Sequence, residues 1–413
     1  MLTTRVASLM RKVFTGLVLL ALPVSAASEP RIVAVGDVHG AYADFVDILQ
    51  KTHLIDTNLQ WIGGTSVLVQ TGDAVDRGPD TRKCLDLLME LERQAKKQNG
   101  RVVALLGNHE VMTIVGDLRY VEPEDYAGFA TDQSEKVREH AYQEYRNFLA
   151  AHLNHQNAAL PEDEAARQKW MGEHPLGYFE RRDAFGPEGV YGRWIRQHEA
   201  VAQMGDVLFM HGGLNPALPF RDIKELNERI RSELANFDSL WQMLCSRKIV
   251  WRYMKLEEYM RQMQDEWASI QLRGQVEDPE AAWAMQKLLG LPSWMIFSPD
   301  SPIWYRGLAL QPEEGLKAGV DAMLTRLKAG YIVAGHTVRP KFDINARFDN
   351  RVFLIDTGML KKHYGGRASA LEIQNGRFTA YYADAGPQVL SVSEGGGAAP
   401  TPKPGEADTK QKP

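Results

Sequence analysis

Val67-Leu68-Val69-Gln70-Thr71-Gly72-Asp73-Ala74-Val75-Asp76-Arg77-Gly78 is the stretch on which the reading of this chain turns. Its first residues form a short apolar run that reads as a buried strand. A helical pattern opens directly afterwards at Pro79, a position where proline's missing N–H costs a helix nothing. Two carboxylates and a guanidinium thus stand at a strand-to-helix turn, where α/β folds carry their ligands. A single acidic turn could be a helix cap. Four further turns of the same kind give this one its weight.

Working outward, the apolar run 31–35 ends in Gly36-Asp37-Val38-His39-Gly40, and a helical pattern follows through Phe45, Ile48 and Leu49. The helix after Gly78 runs to a stop at Asn99-Gly100. A third strand, 102–106, ends in Gly107-Asn108-His109-Glu110. Strand, turn, helix and strand at this pace predict an α/β chain. From about 116 to 200 the pattern becomes polar, aromatic and helical. Asp132 and Glu135 have capping-box spacing ahead of a stripe of Val137, Ala141, Phe148 and Leu149. The run 206–210 returns to strand and delivers His211-Gly212-Gly213. A second helical stretch covers about 221–289, with Trp241, Trp251, Trp267 and Trp283 spaced for core or packing roles. The strand 331–334 ends in Gly335-His336-Thr337, and 351–355, 370–373 and 377–381 read as closing strands. The expected domain is 27–388. From 391 to 413 the composition shifts to Gly, Pro, Ala, Lys and Glu, which predicts a disordered tail.

Of the 413 residues, 44% are hydrophobic and 24% charged, ordinary values for a globular protein. A net charge of -5 argues against a nucleic-acid partner. Arg5, Arg11 and Lys12 precede the apolar run 13–22, followed by Val24-Ser25-Ala26, with no acidic residue before Glu29. This pattern predicts a cleaved secretory signal peptide at 1–26 and a periplasmic or secreted protein. The run is shorter than the roughly 20 residues of a membrane span, so no stable membrane insertion is expected after cleavage. Cys84 shares a helical stripe with Leu87, Leu88 and Leu91 and reads as a core thiol, and Cys245 sits in a similar stripe beside Leu240, Trp241 and Leu244. Nothing in the sequence pairs them, and neither has the Arg that a cysteine-dependent phosphatase loop needs.

The turn residues Asp37, His39, Asp73, Asn108, His211 and His336 make two carboxylates, one amide and three imidazoles. Oxygen donors mixed with imidazole suit Mn, Fe or Zn. Six donors exceed the four of a structural zinc site. They suit two divalent ions about 3.5–4 Å apart that share one carboxylate. Asp73, in the middle of the set, is the expected bridge. Each residue alone could be a cap or a core histidine, but five such turns after five apolar runs speak against coincidence.

Gly-Asp-Val-His-Gly, Gly-Asp-Ala-Val-Asp-Arg-Gly, Gly-Asn-His-Glu, His-Gly-Gly and Gly-His-Thr together resemble the calcineurin-like metallophosphoesterases over about 32–357. Asp76-Arg77-Gly78 with Glu110 resembles the PPP-type phosphoprotein phosphatases. Val111-Met112, the segment Gly116-Asp117-Leu118-Arg119-Tyr120 and the secretory start are most similar to their Shewanella-like branch. The resemblance implies a central two-sheet β-sandwich flanked by helices, with the metal site at the strand C-terminal turns and two helical insertions at about 116–200 and 221–289. It implies Asp37, His39 and Asp73 at the first ion and Asp73, Asn108, His211 and His336 at the second. It gives His109 as the general acid, oriented by Asp76, with Arg77, Arg306 and Asn108 binding substrate. The implied reaction is hydrolysis of phosphate monoesters on phosphoproteins, at Ser/Thr or Tyr, by a hydroxide activated between two metals. Lys361-Lys362-His363-Tyr364-Gly365-Gly366-Arg367 replaces the family's tyrosine-bearing loop. It leaves open whether Tyr364 or Arg367 lines the cleft, Arg367 being the substitute if Arg306 does not clamp phosphate.

The alternative enzyme is a bis(5'-nucleosyl)-tetraphosphatase or general phosphoesterase of the same fold, which usually has Asn where this chain has Asp76. A non-enzymatic binding protein on the same scaffold is disfavoured, because no residue of the metal motifs is missing.

Overall fold

The computed structural model describes residues 30–154 and 163–392; the expected signal peptide and residues 393–413 of the expected tail lie outside them. The described strands are β1 (Ile32–Val35), β2 (Val67–Gln70), β3 (Arg101–Ala104), β4 (Val201–Met204), β5 (Val207–Met210), β6 (Tyr331–Ala334), β7 (Asn345–Arg347), β8 (Val352–Leu354), β9 (Ser369–Gln374), β10 (Arg377–Tyr382) and β11 (Ala385–Val392). They form one sheet ordered β11-β10-β9-β1-β2-β3 and another ordered β4-β5-β6-β8-β7. β1, β2 and β3 are parallel in register, Ile32 opposite Val67 and Val67 opposite Arg101. β5, β6 and β8 are likewise parallel.

The alternation of side chains along a strand explains why these runs are apolar throughout. Ile32, Ala34, Val67 and Val69 point inward and meet Val207, Phe209, Val333 and Phe353 of the second sheet. Phe378 of β10 stacks on Phe353 with ring centroids 4.4 Å apart. The intervening residues Val33, Val35 and Leu68 face outward, onto Phe45, Ile48 and Leu49 of the helix Tyr42–Lys51 and Cys84, Leu88 and Leu91 of the helix Thr81–Lys97. On the far side, Leu208, Ile332 and Leu354 pack under Val320, Met323 and Leu324 of the helix Glu313–Leu327. This is the expected α/β sandwich flanked by helices.

The two helical insertions are present and pack on each other. The first holds the helices Ser134–Asn154, Glu164–Glu173 and Tyr178–Phe185, and the second Ile223–Ser246, Leu256–Arg273 and Pro279–Leu289. Aromatic residues join them: Phe179 lies 4.9 Å from Tyr253 and Trp170 6.2 Å from Trp251, centroid to centroid. Among the described residues, no helix is long and apolar enough to cross a membrane.

Several details differ from the sequence reading. Pro79 lies in a turn, and the helix begins at Thr81 with Asp80 before it. The helix expected directly after Asp132 starts at Ser134, whose Oγ accepts from the Thr131 N–H at 2.8 Å. Trp283 is 52% exposed rather than a core residue. β4, β7 and β11 were not expected, and β11 pairs with β10 as far as Val392, past the expected end of the domain. Cys84 and Cys245 are free thiols, as expected.

Phe378→Ala removes a ring that is 1% exposed between the two sheets. It should lower unfolding free energy by about 3–5 kcal/mol in denaturant titrations, and a variant as stable as the parent would contradict the face-to-face packing.

Candidate metal centre

The turns that end the parallel strands adopt backbone conformations that side chains usually avoid. φ is positive at His39 (47°), Asp73 (58°), Asp76 (66°), Arg77 (65°) and His336 (66°). Each such residue costs on the order of 1–3 kcal/mol and persists only where surrounding contacts fix it. Here they do. The N–H groups of Val38 and His39 donate to the Asp73 carbonyl at 3.0 and 2.9 Å, joining the first two turns. The buried Glu110 carboxylate accepts from the N–H groups of Asp73 and Ala74, both at 2.8 Å, and of Gly107 at 2.9 Å, joining the third. Glycine is required at two of these corners, because a Cβ on Gly107 would stand 2.1 Å from Asp73 Oδ1 and one on Gly335 2.4 Å from Asp37 Oδ1.

All six expected ligands converge. Asp73 Oδ2 lies 3.2 Å from His211 Nε2 and 3.6 Å from His39 Nε2, and Asp37 Oδ2 lies 3.9 Å from His39 Nε2. His211 Nε2 is 2.9 Å from both Asn108 Oδ1 and His336 Nδ1. The Nδ1 atoms of His39 and His211 face the carbonyls of Val75 (2.9 Å) and Thr71 (3.1 Å). A carbonyl only accepts, so both Nδ1 atoms carry a proton, and each Nε2 offers its lone pair inward whenever the ring is neutral.

Electrostatics explain what such a set is for. Burial pushes the Asp37 carboxyl well above its ordinary range, with Asp356 adding to the effect. Burial, then Asp73, pushes Glu110 up to about 7. Burial and then His109 lower His39 to about 3. Burial opposes charge on His211, but Asp73 and Asp37 overcome it and hold that imidazole up at about 9. Buried carboxylates crowded among inward lone pairs call for positive charge between them. His336 Nε2 is moreover buried with no hydrogen-bond partner. The residues fit divalent cations. They fall into two groups that share Asp73, one with His39 and His109 and one with His211 and His336.

His109 is better placed as an acid than as a ligand. Its Nδ1 meets Asp76 Oδ2 at 2.9 Å, and its Nε2 faces Arg77 Nη2 at 3.4 Å, where a guanidinium disfavours a metal. Burial works against protonation here, but Asp73 and Asp76 outweigh it and raise the pKa above the ordinary histidine value. A cavity of about 160 Å³ opens over these groups, lined also by Arg77, Arg306, Tyr120, Trp304 and Tyr364. Arg77 lies over the Tyr120 ring at 4.4 Å, and Arg306 Nη1 donates to the His336 carbonyl at 2.7 Å. A wider groove of about 660 Å³ is lined by Glu135, Arg138, Glu139, His140 and Arg167 and by none of the turn residues, so the chemistry is not there.

The loop question has an answer. Tyr364 lines the cleft, whereas Arg367 is tied to Asp384 at 3.0 Å and Asp343 and covers the Tyr382 ring. Three residues escaped the sequence reading. Asp356, after β8, ends a sixth apolar run and was legible there; burial pushes it up to about 6. Tyr120 closes the quoted segment 116–120, where it was given no role. Arg181, bonded to Asp76 at 2.7 Å, gave no signal, because an Arg in a polar helix reads as surface.

The family model described as calcineurin-like phosphoesterase matches residues 30–340. An uncharacterised protein of Schizosaccharomyces pombe is 30% identical over 351 residues, 83% of this chain and 77% of that one. Shewanella-like protein phosphatase 2 of Arabidopsis thaliana is 29% identical over 208 residues, half of this chain and 52% of its own length. Among solved structures, the cold-active protein-tyrosine phosphatase of a psychrophilic Shewanella species superposes with a TM-score of 0.55 at 22% identity, covering 88% of this chain and 81% of that one; the likeness is one of fold.

Asp73→Asn keeps the side chain's size but removes the shared anion. Both bound ions should be lost together on gel filtration, whereas Asn108→Ala should cost chiefly one. Elemental analysis checks this, and two retained equivalents in Asp73→Asn would exclude a bridge.

Proposed function

Because the chain belongs to the calcineurin-like phosphoesterases, we propose that it is a metal-dependent phosphoprotein phosphatase that hydrolyses phosphate monoesters on Ser/Thr or Tyr. The observation that carries this reading is the His109–Asp76 pair, 2.9 Å apart, beside two arginines and a donor set shared through Asp73. Asp37, His39 and Asp73 would hold one divalent ion, and Asp73, Asn108, His211 and His336 the other. The mixed oxygen and nitrogen donors favour Mn, Fe or Zn. Bound there, the ions would supply Lewis-acid polarisation of the phosphoryl group and acidify water.

The chain's own residues supply the rest. Arg77 and Arg306 flank the cavity and present paired N–H donors to phosphoryl oxygens, the geometry for which a guanidinium is suited. Arg77 is held in place by Tyr120 and by His363, whose Nε2 lies 2.9 Å from Arg77 Nη1. Arg306 is held by the His336 carbonyl and by Thr337 Oγ1 at 3.1 Å. His109 donates from Nε2 to the departing oxygen while Asp76 fixes its Nδ1–H. The small volume of the cavity suits one phosphoryl group with its ester oxygen.

A panel of phosphopeptides, p-nitrophenyl phosphate and dinucleoside tetraphosphates tests this on the metal-loaded protein. His109→Asn should lower kcat on phosphoserine by roughly 10²–10⁴-fold and on p-nitrophenyl phosphate far less, since a good leaving group needs no proton. Equal losses on both would remove the acid role, and turnover of the tetraphosphates alone would favour the alternative.

We further propose export, supported by the basic start, apolar run and small-residue cut of residues 1–26. N-terminal sequencing of the protein from its native cells should begin near Ala27, and Met1 in most of the material would overturn export.

A further inference from the structure

The hydrogen-bond chain that holds His109 does not stop at Asp76. Asp76 Oδ2 accepts from His109 Nδ1, and its Oδ1 accepts from Arg181 Nη2 at 2.7 Å and from Thr113 Oγ1 at 3.2 Å. Arg181 Nε in turn donates to Asp125 Oδ2 at 2.9 Å. The side chains of Arg181, Asp76 and Asp125 are all 0% exposed. The face of the guanidinium is covered by Phe185 at 4.8 Å and by Tyr126 and Phe129 at 5.8 and 5.9 Å.

Arg181 and Phe185 belong to the helix Tyr178–Phe185 of the first insertion, whereas Asp76 lies in the turn after β2 and His109 in the first turn of the helix Asn108–Val115 that follows β3. We propose that Arg181 is a positioning residue for the general acid, supplied by the insertion to fix the carboxylate of Asp76 and through it the imidazole of His109. The proposal rests on the reading of His109 as the acid.

The geometry favours this over a plain buried ion pair. A carboxylate with one histidine partner can rotate about its terminal bond, which is a soft torsion. Donors on both oxygens remove that freedom, and Asp76 has them from three directions. The guanidinium cannot follow a wandering carboxylate either, because Asp125 holds its Nε and three rings enclose its plane. The tilt of the His109 ring is therefore set by the packing of an inserted helix against the sandwich.

The test compares kcat on phenyl phosphate, a poor leaving group, with kcat on p-nitrophenyl phosphate, a good one. Arg181→Met should lower the first by roughly 10- to 100-fold, part of what a whole general acid supplies, and the second by much less, with KM and bound metal unchanged. Arg181→Lys should recover part of the loss. In an Asp76→Asn background, Arg181→Lys should cost nothing more, because the residue acts only through that carboxylate. Removing the guanidinium strands two buried carboxylates, so Arg181→Met can fail to fold. Arg181→Lys and the double variant Arg181→Met/Asp125→Asn then carry the same comparison.

An unchanged ratio between the two substrates in these variants overturns the proposal, as does a loss that multiplies with that of Asp76→Asn. His109→Asn measured alongside separates the two claims. If it shows no leaving-group dependence, the acid assignment falls and this proposal with it. If it shows that dependence and the Arg181 variants do not, this proposal alone falls.

Discussion

Burying the carboxylate of Asp73 at the meeting point of two β-sheets is the constraint from which the rest of this site follows. An isolated ion in a protein interior costs several kcal/mol or more, so the fold must surround it with donors and positive charge. Every polar atom of Asp73 is accordingly engaged. Its N–H goes to Glu110, its carbonyl accepts from Val38 and His39, and its Oδ1 accepts from the His109 N–H at 2.9 Å. Only Oδ2 is left to face His39 and His211, so Asp73 is the residue that both candidate ion groups would have in common. The ligand geometry is a consequence of how the anion is satisfied.

The scaffold can hold such a residue because its strands are buried on both faces. Inward side chains lock sheet to sheet, and outward ones lock each sheet to helices. The strand ends are then too rigid to relax, which is the condition for keeping five side-chain-bearing residues at positive φ. Glu110 completes the arrangement by joining the second and third turns with one carboxylate. Catalysis by positioning depends on this rigidity, since an acid, two clamping arginines and a ligand cluster must meet within a few ångströms.

Much of this was legible beforehand, for a local reason. The candidate ligands occupy the residues immediately after each apolar run, so a short continuous apolar run followed by Gly-Asp, Gly-Asn-His or Gly-His betrays both strand and site. The edge strands β4 and β7 were not legible, because Gln203, Asn345 and Arg347 interrupt the continuous apolar run that marks the buried strands. Pro79 misled by its helix-opening habit; the chain uses it one turn earlier, where Arg77 and Asp76 still hold left-handed conformations. Trp283 misled because an amphipathic stripe says which side of a helix is apolar and not whether anything covers it. Arg367 and Tyr364 could be ranked only once the loop was placed, since Asp343 and Asp384 that capture Arg367 lie far from it in sequence terms.

By itself, then, the sequence determined the α/β class, the order of the strands that carry the site, and the residues gathered there: the six candidate ligands, His109 with Asp76, and Arg77 and Arg306 at the cleft. The class and the six donors rest on residues a few positions apart, where apolar runs and turn chemistry act, and His109, Asp76 and the arginines were singled out by the family resemblance. The tertiary structure alone decided that the six ligands meet, that Tyr364 rather than Arg367 faces the cleft, and that Arg181 reaches Asp76 from 105 residues away. Such contacts arise where separate elements pack, and packing is set by the shape and burial of whole faces, so no local pattern in the chain announces them.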